Sequence, residues 1–185
     1  MALNKYNQKR NFNSTVEPKG ETGKSKSELI FVVQKHAASH LHYDFRLEMD
    51  GVLKSWAIPK GPSMNPADKR LAVMVEDHPY SYKDFEGTIE EGNYGAGKVI
   101  IWDNGTYKTT DAVNISGVEK EMRAGLLNGH ISFILQGKKL KGYFSLVKLK
   151  GKQENAWLLI KKNDEFASDI DVLLKNKSVI TGKNQ

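Results

Sequence analysis

The stretch Gln34-Lys35-His36-Ala37-Ala38-Ser39-His40-Leu41-His42-Tyr43-Asp44-Phe45-Arg46 decides how this chain is read. From Leu41 the apolar residues Leu41, Tyr43, Phe45 and Leu47 alternate with the polar His40, His42, Asp44 and Arg46, which is the period of a half-buried strand. A helix would scatter those four apolar residues around its circumference. His36 and His40 do stand four apart, as in a helical zinc-protease motif. Ala37 follows His36, however, where that motif carries its general-base glutamate.

Strand geometry has chemical consequences. Alternate side chains point the same way and lie roughly 6.6 Å apart, so His42 and Asp44 can grip one ion. His36 precedes His42 by six residues, roughly 20 Å in an extended chain, and joins that ion only if Ala37-Ala38-Ser39 turns. A bend is expected there. Three of the five histidines fall in this stretch beside an aspartate and one of only four arginines. Nitrogen and oxygen donors without a thiolate suit Mn²⁺, Fe²⁺ or Zn²⁺. Two histidines and a carboxylate also leave coordination positions open for water and substrate. The competing account, histidines on the solvated face of an amphipathic strand, suits any one of them better than it suits the cluster.

The chain has 185 residues, 39% of them apolar, enough for one domain with loose ends. No run of about 18 apolar residues is present and the N-terminus lacks the apolar core of a secretion signal, so a cytoplasmic protein without a membrane span is expected. Zero cysteines exclude disulfides and thiolate metal sites. A net charge of +6 favours a polyanionic partner. Of the 28 basic residues, 24 are lysines. Arginine's planar fork matches phosphate oxygens bidentately, whereas lysine acts as a point charge. Arg10, Arg46 and Arg70 are therefore candidate phosphate ligands, and Arg123, in an expected helix, reads as a solvated residue.

Residues 1–27 are a basic, irregular N-terminal arm that Phe12 and Val16 can anchor to the domain. Strands follow. Leu29 to Val33 leads into the histidine stretch, and Asp50-Gly51 turns into Val52–Ile58, a strong hairpin signal. Pro59-Lys60-Gly61-Pro62 stops that strand, in a loop that can turn Lys60 towards an anion. Leu71–Val75 reads as a fully apolar, buried strand that delivers His78 at its end. Gly92 to Gly97 offers exposed amides, but it does not open a helix after a strand and so is no dinucleotide fingerprint. Val99–Thr109 reads as a second hairpin turning at Asn104-Gly105. Ser116 is the expected cap of a helix ending at Asn128-Gly129. Strands are expected over His130–Leu135, Gly142–Lys150 and Ala156–Lys162, with a closing helix over Asp169–Leu174. Lys138, Lys139, Lys141, Lys148, Lys150, Lys161 and Lys162 can form a basic wall for a nucleic-acid backbone. Many short strands with close turns argue for an all-β fold, a closed or nearly closed β-barrel flanked by a few short helices. Its expected bounds are 28–175, with a loose tail over 176–185.

The motifs Gln34 to Glu48, Leu53-Lys-Ser-Trp-Ala-Ile-Pro-Lys-Gly-Pro62, Glu76-Asp-His-Pro-Tyr-Ser-Tyr82, Phe85-Glu-Gly87 and Gly92-Asn-Tyr-Gly-Ala-Gly97 resemble the 3′-phosphoesterase domain of DNA ligase D, from about Arg10 to Lys162. Neither the ligase nor the polymerase module that adjoins such a domain fits in 185 residues, so the resemblance is to a stand-alone version. It implies a β-barrel with a Mn²⁺ site, for which Co²⁺ or Zn²⁺ are alternatives. The implied reaction removes a 3′-terminal ribonucleoside from a primer-template and then the remaining 3′-phosphate, in DNA repair by non-homologous end joining. The implied partners are DNA or RNA/DNA 3′ ends and a separate ligase, polymerase and end-binding protein. Carried over by motif, His36, His42 and Asp44 hold the metal, while Arg46 and His78 contact the scissile phosphate. Gln34, Lys60, Arg70 and Tyr82 complete the pocket, and the arm supplies Arg10 and Glu17. Ala37 stands where the family commonly has an acidic residue. Two other function classes fit the residues less well: a non-catalytic end-binding module that recruits a ligase, and a small-molecule phosphatase.

Overall fold

A computed structural model describes residues 3–151 and 153–185 of the chain. The alternating stretch forms β2 (Leu41–Met49), paired antiparallel with β1 (Leu29–Ala37) on one side and β3 (Val52–Ile58) on the other. The chain bends at Ala38–His40 between β1 and β2. Between β2 and β3, Asp50 and Gly51 take φ of 52° and 78°, the left-handed pair that a two-residue hairpin needs.

The remaining strands are β4 (Lys69–Met74), β5 (His78–Pro79), β6 (Gly87–Ile89), β7 (Gly97–Lys108), β8 (His130–Gly137), β9 (Lys141–Lys148) and β10 (Ala156–Lys161). Eight of them run in the order β1-β2-β3-β4-β10-β9-β8-β7, and the pairing of β7 with β1 closes the circle. The fold is thus the expected closed antiparallel barrel, and closure removes the unpaired edges that an open sheet would expose. β6 and β5 add to β7 and β3 at the outside.

Leu29, Phe31 and Val33 of β1 and Tyr43, Phe45, Leu47 and Met49 of β2 fill the interior with Trp56, Trp102, Phe133, Phe144 and Trp157. Phe133 stacks between Phe45 at 5.8 Å and Phe144 at 6.4 Å. Each such side chain contributes roughly 1.5–3 kcal/mol by burial. Val118 and Met122 of α2 (Ile115–Asn128), with Met64 and Val172, join the same core.

The polar face of β2 is not solvated. Tyr43 to Met49 are all buried, because the N-terminal arm lies across that face. The arm is not wholly irregular: α1 (Asn4–Gln8) seats Tyr6, with Leu3, in a second cluster with Val32, Val52, Leu53, Tyr82 and Ile101. Phe12 packs on this cluster, whereas Val16 is 66% exposed and anchors nothing. Glu48, fully buried, fastens the arm by accepting from Ser25 N at 2.7 Å, Ser25 Oγ at 2.6 Å and Ile30 N at 3.0 Å.

Other expectations are corrected. Asn104-Gly105 makes no hairpin; β7 runs through it unbroken. The glycine is there because a Cβ would sit 2.1 Å from the Gln136 carbonyl of β8. Leu71 faces outward, 40% exposed, leaving Ala72 as the core residue of β4. Asn114, not Ser116, caps α2 by accepting from Gly117 N at 2.9 Å. The expected helix over 169–174 is only a 3-10 turn, Val172–Leu174, since Ile170 and Leu174 remain exposed and no apolar face forms. Residues 176–185, expected to be loose, are strapped down. Ser178 Oγ donates to Glu86 at 2.7 Å, Val179 N to Ile101 O at 2.9 Å and Gln185 Nε2 to Lys35 O at 3.0 Å.

Glu48→Ala should lower unfolding free energy by roughly 3 kcal/mol, because it strands buried donors. It should also open residues 14–27 to protease, and denaturant unfolding with limited proteolysis checks both.

Candidate active site

The register of β1 against β2 places His36 opposite His42 and Gln34 opposite Asp44. His36, His42 and Asp44 therefore share one face, and their ligand atoms all lie within 4.8 Å of one another. His36 Nδ1 is 3.7 Å from Asp44 Oδ2, and His42 Nε2 is 3.8 Å from Asp44 Oδ1. The far nitrogen of each ring lies on a main-chain carbonyl: His36 Nε2 at 2.9 Å from Gly95 O, and His42 Nδ1 at 2.9 Å from His40 O. A carbonyl can only accept, so those nitrogens carry protons and the inward nitrogens are the ones placed to ligate an ion. This is how the other ring nitrogen of a metal-bound histidine is ordinarily engaged. Two imidazoles and a carboxylate converging in this way fit a divalent metal ion.

Burial alone would raise the Asp44 pKa, yet the Arg46 guanidinium, followed by His36 and His42, holds the carboxyl well below the usual range. It stays ionised, as a metal ligand must. Arg46 is itself pinned. It donates from Nε to Gln34 Oε1 at 2.8 Å, from Nη1 to Ser55 Oγ at 2.9 Å and from Nη2 to Asp44 Oδ2 at 3.2 Å. Gln34 in turn donates to the carbonyls of Tyr82 and Phe85 at 3.0 and 2.8 Å. It positions Arg46 and does not line the cavity.

The opposite wall comes from other parts of the chain. β5 pairs with β3, His78 facing Leu53. His78 Nδ1 donates to Glu76 O at 2.9 Å, and Nε2 lies 3.4 Å from Arg10 Nη2. Nε2 is thus the unprotonated acceptor. Burial first, then the charges of Arg46 and Arg10, hold the His78 pKa well below its ordinary value, so the ring is neutral near pH 7. Arg10 arrives from the arm over the Tyr6 ring at 3.8 Å and donates to Glu17 Oε1 at 2.9 Å. Tyr82 Oη donates to the same oxygen at 2.8 Å, its pKa pushed well above the usual phenol value by burial. Its ring lies 4.9 Å from the Arg46 guanidinium.

Arg10, Glu17, His36, His42, Asp44, Arg46, His78 and Tyr82 line one cavity of about 350 Å³. Lys60 and Arg70 do not. Lys60 is exposed in the turn after β3. Arg70 stands two residues from the core residue Ala72, on the same side of β4, and donates to Asp68 at 2.9 Å. The lysine wall is also broken: Lys161 is buried against Asp164, while Lys138 and Lys139 donate to the Val179 and Lys177 carbonyls of the C-terminal strap.

Several residues at the site were not among those assigned to it from the sequence, although they lie in the quoted motifs. Glu76 pairs with Lys9 at 3.0 Å and Arg10 at 3.4 Å. Ser55 seats Arg46, and Tyr94 and Gly95 come from the glycine loop. Gly97 lets that loop reach His36, since a Cβ there would lie 2.3 Å from Ala37 O.

Among the described residues, no helix is long and apolar enough to cross a membrane. Comparison with known sequences adds an independent finding. The pattern described as the DNA Ligase D 3′-phosphoesterase domain matches residues 34–148. The multifunctional non-homologous end joining protein LigD of Pseudomonas aeruginosa is 51% identical over 173 residues, 91% of this chain and 19% of that protein. The corresponding proteins of Mycobacterium bovis and Mycolicibacterium smegmatis are 39% and 40% identical over 92% and 88% of the chain, and 21% of each relative. The chain spans about a fifth of the length of these relatives. With the family's pattern running from within β1 to the end of β9, across His36, His42, Asp44, Arg46 and His78, and with relatives up to 51% identical over most of the chain, this chain belongs to the DNA ligase D 3′-phosphoesterase domain family.

Proposed function

We propose that the chain is a metal-dependent 3′-phosphoesterase that heals nucleic-acid ends, removing a terminal ribonucleoside and then the 3′-phosphate to leave a 3′-hydroxyl. The observation that carries this reading is the convergence of His36, His42 and Asp44 with two buried arginines, Arg46 and Arg10, in one cavity. The names of the relatives support a setting in non-homologous end joining; a separate ligase, polymerase and end-binding protein are the partners we propose for it. The donor set suits Mn²⁺, with Co²⁺ or Zn²⁺ as alternatives. His36, His42 and Asp44 would hold the ion, which would supply Lewis acidity at a phosphate oxygen.

The chain's own groups account for the rest. Arg46 has five N–H donors, of which three are engaged, leaving two for phosphate oxygens whose charge grows in the transition state. Arg10, locked by Glu17 and Glu76, stands beside His78 for the same purpose. Neutral His78 presents Nε2 as a proton acceptor. It takes a proton from the attacking water as the P–O bond to the sugar breaks, the leaving oxygen on the opposite side of the phosphorus takes a proton from solvent water, and the imidazolium then returns its proton to solvent. Gln34 and Tyr82 act through Arg46 and Glu17, as positioning residues.

A primer-template ending in one ribonucleotide should pass through a 3′-phosphate to a 3′-hydroxyl in Mn²⁺ and stay intact in chelator, resolved on a gel. A primer bound but uncut in Mn²⁺, Co²⁺ and Zn²⁺ would point instead to an end-binding module. Asp44→Ala should weaken Mn²⁺ binding measured by calorimetry. His78→Ala should keep that binding yet lose on the order of 10²–10⁴ in kcat/KM for both steps; full activity would remove His78 from the mechanism.

The lowered His78 pKa also has a thermodynamic sign. Below the ordinary value of 6.5 the unfolded chain binds a proton that the folded chain refuses, so stability rises with pH through that window. Metal-free protein should lose up to about 1.4 kcal/mol per pH unit below that value through this residue. His78→Gln should flatten that slope in pH-dependent denaturant unfolding.

A further inference from the structure

The large aromatic side chains around the cavity, Tyr6 and Tyr82, are buried, but Tyr94 is 50% exposed and lines the same cavity. Its position is fixed from both sides in the chain. The preceding Asn93 is joined to the arm, accepting from Ser14 Oγ at 2.8 Å and donating to Ser14 O at 3.0 Å. The following Gly95 offers the carbonyl that orients His36. Lys9 Nζ donates to the Tyr94 hydroxyl at 3.2 Å and lies 4.6 Å from the ring centre, and the Arg10 guanidinium lies 5.5 Å from it. The ring therefore stands at the cavity rim, one guanidinium away from His78.

A phosphate group by itself has no use for a half-exposed ring, whereas a nucleobase does. Every base has a flat π face that stacks on an aromatic side chain, and such contacts are sequence-tolerant. We propose that Tyr94 is the platform on which the terminal nucleobase of the strand stacks while its 3′-phosphate lies against Arg46 and Arg10. This rests on the reading of the cavity as a 3′-phosphoesterase site. It makes the substrate a nucleotide end and not a simple phosphate ester. It also gives the enzyme a base contact that is blind to base identity, which suits the healing of arbitrary ends.

The test compares two primer-templates, one primer ending in thymidine 3′-phosphate and the other in an abasic tetrahydrofuran 3′-phosphate. Phosphate release in Mn²⁺ gives the ratio of kcat/KM between them, and fluorescence anisotropy in chelator gives the ratio of their affinities. Wild-type protein should favour the base-bearing strand by about tenfold. Tyr94→Leu should bring that ratio close to one, while Tyr94→Phe, which loses only the hydroxyl and its bond to Lys9, should keep it. An unchanged ratio in Tyr94→Leu would overturn the proposal. Equal loss in Tyr94→Phe would also overturn it, assigning Tyr94 to clasping the arm through Lys9. If wild-type protein hydrolyses neither strand, the phosphoesterase reading fails, and the affinity ratios still decide whether the ring stacks a base.

Discussion

The guanidinium of Arg46 is a full positive charge in a residue only 2% exposed to solvent. A charge at such a depth is tolerable only where it is paired and hydrogen-bonded. Asp44, Gln34 and Ser55 meet that demand from three adjacent strands of the barrel. The arrangement also works in reverse. Arg46 keeps Asp44 ionised for a metal, Gln34 ties the guanidinium to the turn that carries Tyr82, and Tyr82 reaches the arm through Glu17. Neither the His-His-Asp cluster nor the groups across the cavity would hold their places if this charge lost its partners.

The barrel explains why the partners come from strands and the remainder from loops. A closed antiparallel barrel has a rigid interior of interlocked aromatics and an outer surface on which alternate residues are free for chemistry. Along β2 that outer row is His42, Asp44, Arg46 and Glu48: two groups that could hold a metal ion, a buried guanidinium facing the cavity and the fastening point of the arm. The arm then makes an interior of what would otherwise be surface, and it brings Arg10 and Glu17 with it. The glycine loop 92–97 binds both the arm and His36, so the two halves of the cavity are mechanically joined.

Much of this was written in local patterns. The alternation from Leu41 to Leu47 located β2, the need for His36 to return to His42 located the bend, and Asp50-Gly51 located the hairpin. Misreadings arose where one residue type serves two ends. Gly105 looked like a turn residue but is bare so that β8 can approach. The closing helix failed because Ile170 and Leu174 found nothing to bury against. The strap over 176–185 was invisible because its bonds run to Glu86, Ile101 and Lys35, far away in sequence.

The sequence by itself determined a β-strand protein with a His-His-Asp group and an arginine on one strand face, since a period of two depends only on neighbours within a few residues. The motifs also carried the family. Tertiary structure alone decided which nitrogen of each histidine faces inward, because Gly95 and His40 carbonyls set that choice. It likewise decided that Lys60 and Arg70 stand outside the cavity that Arg10 and Glu17 line. Such facts depend on pairings between residues far apart along the chain, and these exist only once the barrel has closed and the arm has been laid across it.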